Sequence, residues 1–198
     1  MPSISFRIEF GPVRILRLDS SDNTNRLTRA CVLTLTAAIG ELKERSDKPV
    51  RPLIITGNRQ YFSVGADLNE IAVLNGPKDR EFSVMGQVLM NSISDYPAPV
   101  VAAIEGHCMG GGFDLALACH RRIAASSAIF GHRGAALGLV TGWGGTQRLP
   151  RLIGKARALE LFITAEKISA ARALEIGIVD ALADDPVAEA VRLLRDPL

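Results

Sequence analysis

Two segments of this chain set glycines beside residues that can present a backbone donor or move a proton. The first is Tyr61-Phe62-Ser63-Val64-Gly65-Ala66-Asp67-Leu68-Asn69-Glu70. Asp67 followed by Glu70 has the spacing of a capping box, which predicts a helix starting there. The N–H groups at such a start lack intrahelical partners and carry the positive end of the helix dipole. Gly65 permits the tight turn that would present the N–H of Ala66 to a ligand. A well-capped helix with no ligand explains the same residues. The second segment runs Ile104-Glu105-Gly106-His107-Cys108-Met109-Gly110-Gly111-Gly112-Phe113-Asp114-Leu115-Ala116-Leu117-Ala118. Each glycine disfavours helix by about 1 kcal/mol relative to alanine. A run of three is tolerated where backbone must approach something closely, either a ligand oxygen at the Gly111 N–H or a packed neighbouring strand. Two such donors aimed at one point form an oxyanion hole, where loss of one costs roughly 3–4 kcal/mol in the transition state. Neither segment is a Walker loop or a dinucleotide fingerprint, since the Gly-Lys-Ser/Thr and G-x-G-x-x-G patterns are absent.

The elements that must position these turns can be read from periodicity. Residues 4–9 and 13–18 alternate around Gly11-Pro12 as a hairpin with one buried face. Leu27, Cys31, Leu35, Ala38 and Leu42 recur at helical spacing, which predicts a helix over 26–45. Pro52 to Thr56 and Ala98 to Ile104 read as buried strands, and 67–74 and 78–95 as helices. A helix follows the glycines to Cys119, then strands near 121–125 and 128–130, short helices over 143–163 and 169–176, and a last helix from Pro186 to Leu198. Strands alternating with helices make the class α/β, and no linker divides residues 1–198, so one domain is expected.

Bulk composition excludes several functions. With 23 Lys and Arg against 21 Asp and Glu, the formal net charge of +2 leaves no basic stripe for nucleic acid. No apolar run reaches the length of a transmembrane helix, and the charged start Arg7-Ile8-Glu9 is unlike a signal peptide, so a cytoplasmic protein is expected. Cys31, Cys108 and Cys119 lack metal-ligand spacing and read as buried thiols.

Phe62-Ser63-Val64-Gly65-Ala66-Asp67-Leu68, Gly106 to Leu117, Phe130-Gly131, and Gly138 through Gly144-Gly145-Thr146-Gln147-Arg148-Leu149 occur in the order and spacing of the signature segments of the enoyl-CoA hydratase/isomerase (crotonase) superfamily. Ala170-Ala173-Leu174-Gly177-Ile178-Val179 resembles the stretch that follows. The resemblance implies a spiral of strand–strand–helix repeats, usually assembled as trimers or dimers of trimers, binding acyl-CoA thioesters without a cofactor beyond the CoA moiety. It implies that the N–H groups of Ala66 and Gly111 hold the thioester oxygen and stabilise an enolate. It places Ser63, Gly65, Ala66, Asp67, Leu68, Gly110 and Gly134 at the substrate, with Arg26 as a basic contact to CoA; Trp143, in the Gly142–Gly145 turn, either walls the acyl pocket or serves packing alone. No metal is implied.

The departures from the family pattern bear on the chemistry. Of the two glutamates that hydratases of the family carry, the first falls on Asp114, one methylene shorter, and the second on Gly134, which transfers no proton. A general acid or base contributes typically 10²–10⁴-fold, so hydration should suffer more than enolate stabilisation. His132, two residues before the vacancy, is the nearest spare titrating group; His107 precedes the glycine turn, and His120 sits at a helix end where a cation meets the dipole. The family's C-terminal helical segment is expected to be shortened here. The reading is therefore a hydratase/isomerase-type enzyme acting through an enolate, with Asp114 and His132 as its catalytic side chains. A non-catalytic acyl-CoA-binding or assembly subunit, or a thioester hydrolase or decarboxylase on the same scaffold, remains open.

Overall fold

A computed structural model describes residues 6–44 and 49–195. The chain opens with strands β1 (Phe6–Glu9), β2 (Arg14–Leu18) and β3 (Arg26–Leu27), then helix α1 (Arg29–Glu44). Next come β4 (Leu53–Thr56), β5 (Tyr61–Ser63), β6 (Gly65–Ala66), α2 (Leu68–Ala72) and α3 (Pro77–Ser94). The following unit is β7 (Val100–Ile104), β8 (His107–Met109) and α4 (Gly111–Ala118); after it come β9 (Arg121–Ala124), β10 (Ile129–Gly131), a 3-10 turn (Gly134–Leu137), α5 (Gly145–Ile153) and α6 (Lys155–Thr164). The chain continues through β11 (Ile168–Ser169), α7 (Ala170–Glu175), β12 (Ala181–Leu182) and α8 (Pro186–Arg195).

The α/β class and the hairpin hold: β1 pairs antiparallel with β2, Phe6 opposite Leu18. Two readings, the start of the first helix and the capping box, differ from the structure. The helix expected from residue 26 begins at Arg29, because Arg26 and Leu27 pair in parallel with Gly65 and Ala66 instead. The segment 143–163 is made of short helices as expected, α5 and α6, parted at Gly154, where φ is +87°. The capping box is not made. Asp67 does cap α2, accepting from the Asn69 N–H at 2.8 Å, but the Glu70 carboxylate reaches across to the N–H of Arg29 at 2.7 Å and caps α1. The hairpin residues 4 and 5, residue 45 and the end of the last helix at 196–198 lie outside the described residues.

Six strands form the large sheet in the order β1-β2-β4-β7-β9-β12. Its centre is parallel and buried on both faces, which accounts for the unbroken apolar runs of β4 and β7. Alternation divides them. Ile54, Val101, Ala103 and Ile123 face Ala190 of α8, whereas Leu53, Ile55, Val100, Ala102 and Ile104 join the main core with α1, α3 and α4.

A second sheet, β11-β10-β8-β5, positions the turns. Each large-sheet strand from β4 to β9 is followed by a short strand of this sheet, and β5, β8 and β10 run parallel, side by side. The register sets Ser63 opposite Cys108 and Gly131 opposite Met109, so the segments leaving the carboxyl ends of the three strands emerge at one edge.

Trp143 locks α3 to α4 beside that edge. Its Nε1–H donates to Phe82 O at 3.2 Å, and its ring lies over Gly86 of α3 and Gly111 of α4. By helix propensity alone, Gly86→Ala would stabilise the protein by about 1 kcal/mol. The new methyl would overlap the indole, however. We expect net destabilisation of about 1–3 kcal/mol, read as a lower urea midpoint at unchanged m-value.

Candidate active site

Gly65 has φ +92°, and a side chain there would come within 2.7 Å of both the Gly111 nitrogen and Met109 O. A Cβ on Gly111 would in turn lie 3.3 Å from the nitrogen of Ala66. The two backbone donors picked out from the sequence are therefore neighbours across a contact that excludes side chains. Gly111 is the first residue of α4, where an N–H finds no carbonyl within its own helix. Ser63 fixes the first turn from beneath: buried, it donates to Asn25 O at 2.7 Å and accepts from the Gly65 N–H at 3.1 Å.

Both donors border a cavity of about 530 Å³, within the range of small-molecule sites. Its wall also includes Leu68, Gly110, Asp114, His132, Gly134 and Trp143, so most of the residues singled out from the sequence converge here. Ser63, Gly65, Asp67 and Arg26 are not on the wall. The first two build the turn, and Arg26 pairs with Asp22 and Asp67, each at 3.5 Å. His107 stacks on Tyr61 with ring centroids 5.5 Å apart, and His120 Nδ1 accepts from the Val100 N–H at 2.9 Å; both histidines are structural.

Asp114 is 1% exposed, in the first turn of α4. Burial pushes its carboxyl up to about 7, against the opposing pull of hydrogen bonds from Thr141 and the Gly145 N–H and of the Arg148 charge. Thr141 Oγ1 donates to Oδ2. Oδ1 faces His132 Nε2 at 3.4 Å, and neither atom has another hydrogen-bond partner. The His132 ring is held against Phe113 and Phe162, at centroid distances of 4.9 and 5.4 Å, and burial pulls its pKa down to about 4. Any side chain on Gly145 would strike Asp114, His132 and Thr141.

Thr141, Gly145, Arg148 and Phe162 were not picked out individually from the sequence. The first three lie within or beside the signature segment 138–149, which was the available signal; Phe162 gave none, because its contact with His132 exists only in the fold. Among the described residues no group of three His, Cys, Asp or Glu could hold a metal, and no helix is long and apolar enough to cross a membrane.

The two titrations pull stability in opposite directions. Between about pH 4 and 7 native Asp114 keeps a proton that the unfolded chain has lost, so its contribution falls as pH rises. Between about 4 and 6.5 the unfolded chain protonates His132 first, and that contribution rises with pH. Asp114→Asn removes only the first and keeps one oxygen to accept from Thr141. We expect it to raise Tm at pH 8, by roughly 2–4 °C per kcal/mol recovered, and to give a much smaller gain at pH 5, measured by calorimetry.

A family model described as Enoyl-CoA hydratase/isomerase matches residues 11–196. A probable enoyl-CoA hydratase of Bacillus subtilis is 46% identical over 141 residues, 71% of this chain and 55% of that protein. A crotonyl-CoA hydratase of Syntrophomonas wolfei is 39% identical over 167 residues, 84% of this chain and 64% of that one. The chain thus spans less than two thirds of the length of either relative. The crystal structure of an enoyl-CoA hydratase from Bacillus anthracis superposes with a TM-score of 0.89 at 35% identity, covering 96% of this chain and 75% of that one. With the signature segments folded around one cavity and the family model matching nearly from end to end, the chain belongs to the enoyl-CoA hydratase/isomerase family.

Proposed function

We propose that this protein acts on acyl-CoA thioesters, using the N–H groups of Ala66 and Gly111 to hold the thioester oxygen while an enolate forms, with Asp114 as the proton-transferring side chain. The observation that carries the reading is the convergence of these two backbone donors and a buried carboxyl on one cavity. Donors fixed by backbone need no rearrangement as charge builds on the oxygen, and in a desolvated site each contributes roughly 3–4 kcal/mol. A carboxyl held at about 7 both accepts and returns a proton near neutral pH, whereas an ordinary carboxylate there is a poor acid. The relatives named as enoyl-CoA and crotonyl-CoA hydratases support an α,β-unsaturated thioester as substrate.

The trimeric assembly implied by the resemblance is part of the same reading. Leu159 and Ile163 of α6 are 59% and 68% exposed and give that helix an apolar outer face suited to a second copy.

The test is purified protein with crotonyl-CoA, followed by mass spectrometry for the gain of one water. Asp114→Asn should lower kcat by about 10²–10⁴-fold while acyl-CoA binding, measured by calorimetry, stays within a few-fold. Unchanged turnover removes Asp114 from the mechanism. Binding without turnover in the native chain turns the reading toward an acyl-CoA binder.

A further inference from the structure

Enolate chemistry with one carboxyl leaves two buried polar atoms unexplained. Asp114 Oδ1 and His132 Nε2 face each other at 3.4 Å, their side chains 2% and 6% exposed, with no other partner for either atom. Neither group can turn away. The second Asp114 oxygen is engaged by Thr141, and the imidazole is packed against Phe113 and Phe162. Gly145, with no room for a methyl, is what lets the two approach each other. Burying two polar atoms with no third partner is costly unless they serve each other.

Resting on the reading above, we propose that His132 is a positioning residue whose Nε2 shares one proton with Asp114 Oδ1, so that the pair does the work of the second carboxyl that position 134 lacks. In hydration, a water proton passes to Oδ1 as the water oxygen bonds to C3. The C2–C3 π pair moves toward the thioester, and the resulting enolate oxygen is held by the Ala66 and Gly111 N–H groups. As the enolate collapses, C2 takes one proton from the pair, which ends with the proton count it had at the start. In the ionised pair Nε2–H donates to Oδ1; that bond gives way while Oδ1 carries the water proton and re-forms when the proton leaves for C2, so no proton enters or leaves the imidazole. The other charged or titratable groups facing the pair are few. Arg148 of α5 favours ionised Asp114, Cys108 of β8 is kept a neutral thiol by burial, and Arg133 and Asp79 lie on the same cavity wall; α4 and α6 present Phe113 and Phe162 to the ring.

A charge-assisted hydrogen bond is about twice as strong as a neutral one, so removing Nε2 harms the carboxylate more than the acid. His132→Phe keeps a ring in the slot and should move the acid limb of the kcat/KM–pH profile upward by about one unit, a loss of roughly tenfold near pH 6.5 that recovers at pH 9. His132→Gln, which restores an N–H donor near the Nε2 position, should bring the limb back toward its native place. A uniform loss at every pH in His132→Phe, or an unmoved acid limb, overturns the proposal. An assay that needs no turnover separates its failure from failure of the functional reading. In ¹⁵N-histidine NMR of the ligand-free protein, the His132 ring nitrogens should follow the Asp114 titration and lose that step in Asp114→Asn. A His132 curve identical in native and Asp114→Asn protein overturns it whatever the enzyme turns over.

Discussion

The site depends on the parallel register of three very short strands. β5, β8 and β10 each hold three residues, yet their pairing decides which backbone atoms meet. With Ser63 opposite Cys108 and Gly131 opposite Met109, the residues that follow the strand ends are Ala66, Gly111 and His132. A slip of one residue would reverse every side chain of the slipped strand and carry the donors past each other. The large sheet guards against this. β4, β7 and β9 feed the three short strands and are themselves locked by buried neighbours on both faces. Stability of the big sheet is thereby converted into precision at the small one, where three-residue strands could not hold register alone.

Close approach leaves no space for side chains between the donors, and that has an electrostatic result. The Asp114 carboxyl is almost wholly buried at the cavity wall, and Arg148, the cation that favours its ionised form, is already bonded to Trp143 O at 3.3 Å and Asn91 Oδ1 at 2.8 Å. Burial therefore outweighs the stabilising partners and the carboxyl titrates near neutrality, where proton exchange with a substrate is easiest. Trp143 ties the two effects together. Its ring covers Gly111, its backbone carbonyl accepts from Arg148, and its Nε1–H anchors it to α3, so the edge that carries Gly111 and the cation near Asp114 are tied to one residue.

Much of this was legible in the sequence, but unevenly. Strong periodic segments such as α1 and the buried runs of β4 and β7 announced themselves, since burial on one face or both leaves a pattern in the chain. The glycine turns marked the donors because only glycine is compatible with their backbone and their crowding. Boundaries that tertiary pairing decides were lost: Arg26 and Leu27 carry helical spacing but pair with Gly65 and Ala66, and Glu70 has capping-box spacing but caps a helix 41 residues away. The Asp114–His132 contact was hidden for the same reason. His132 stood out as a titrating group near a vacancy, but nothing local states that its ring nitrogen, in the loop after β10, meets a carboxyl from α4.

Gly134 shapes the loop that it opens. Its carbonyl accepts from the Leu139 N–H at 2.9 Å, and a Cβ there would sit 2.9 Å from Leu139 O, tighter than ordinary contact. The loop from 134 to 139 is thus closed upon itself in a way that a side chain would pry open. Glycine here compacts the loop, and the compacted loop carries Leu139 and Val140 to the cavity wall. Restoring a glutamate would therefore add an acid and displace part of the wall together, and the two effects would arrive as one. Elsewhere on the site, Gly145 leaves the space in which the Asp114 carboxyl and the His132 imidazole meet.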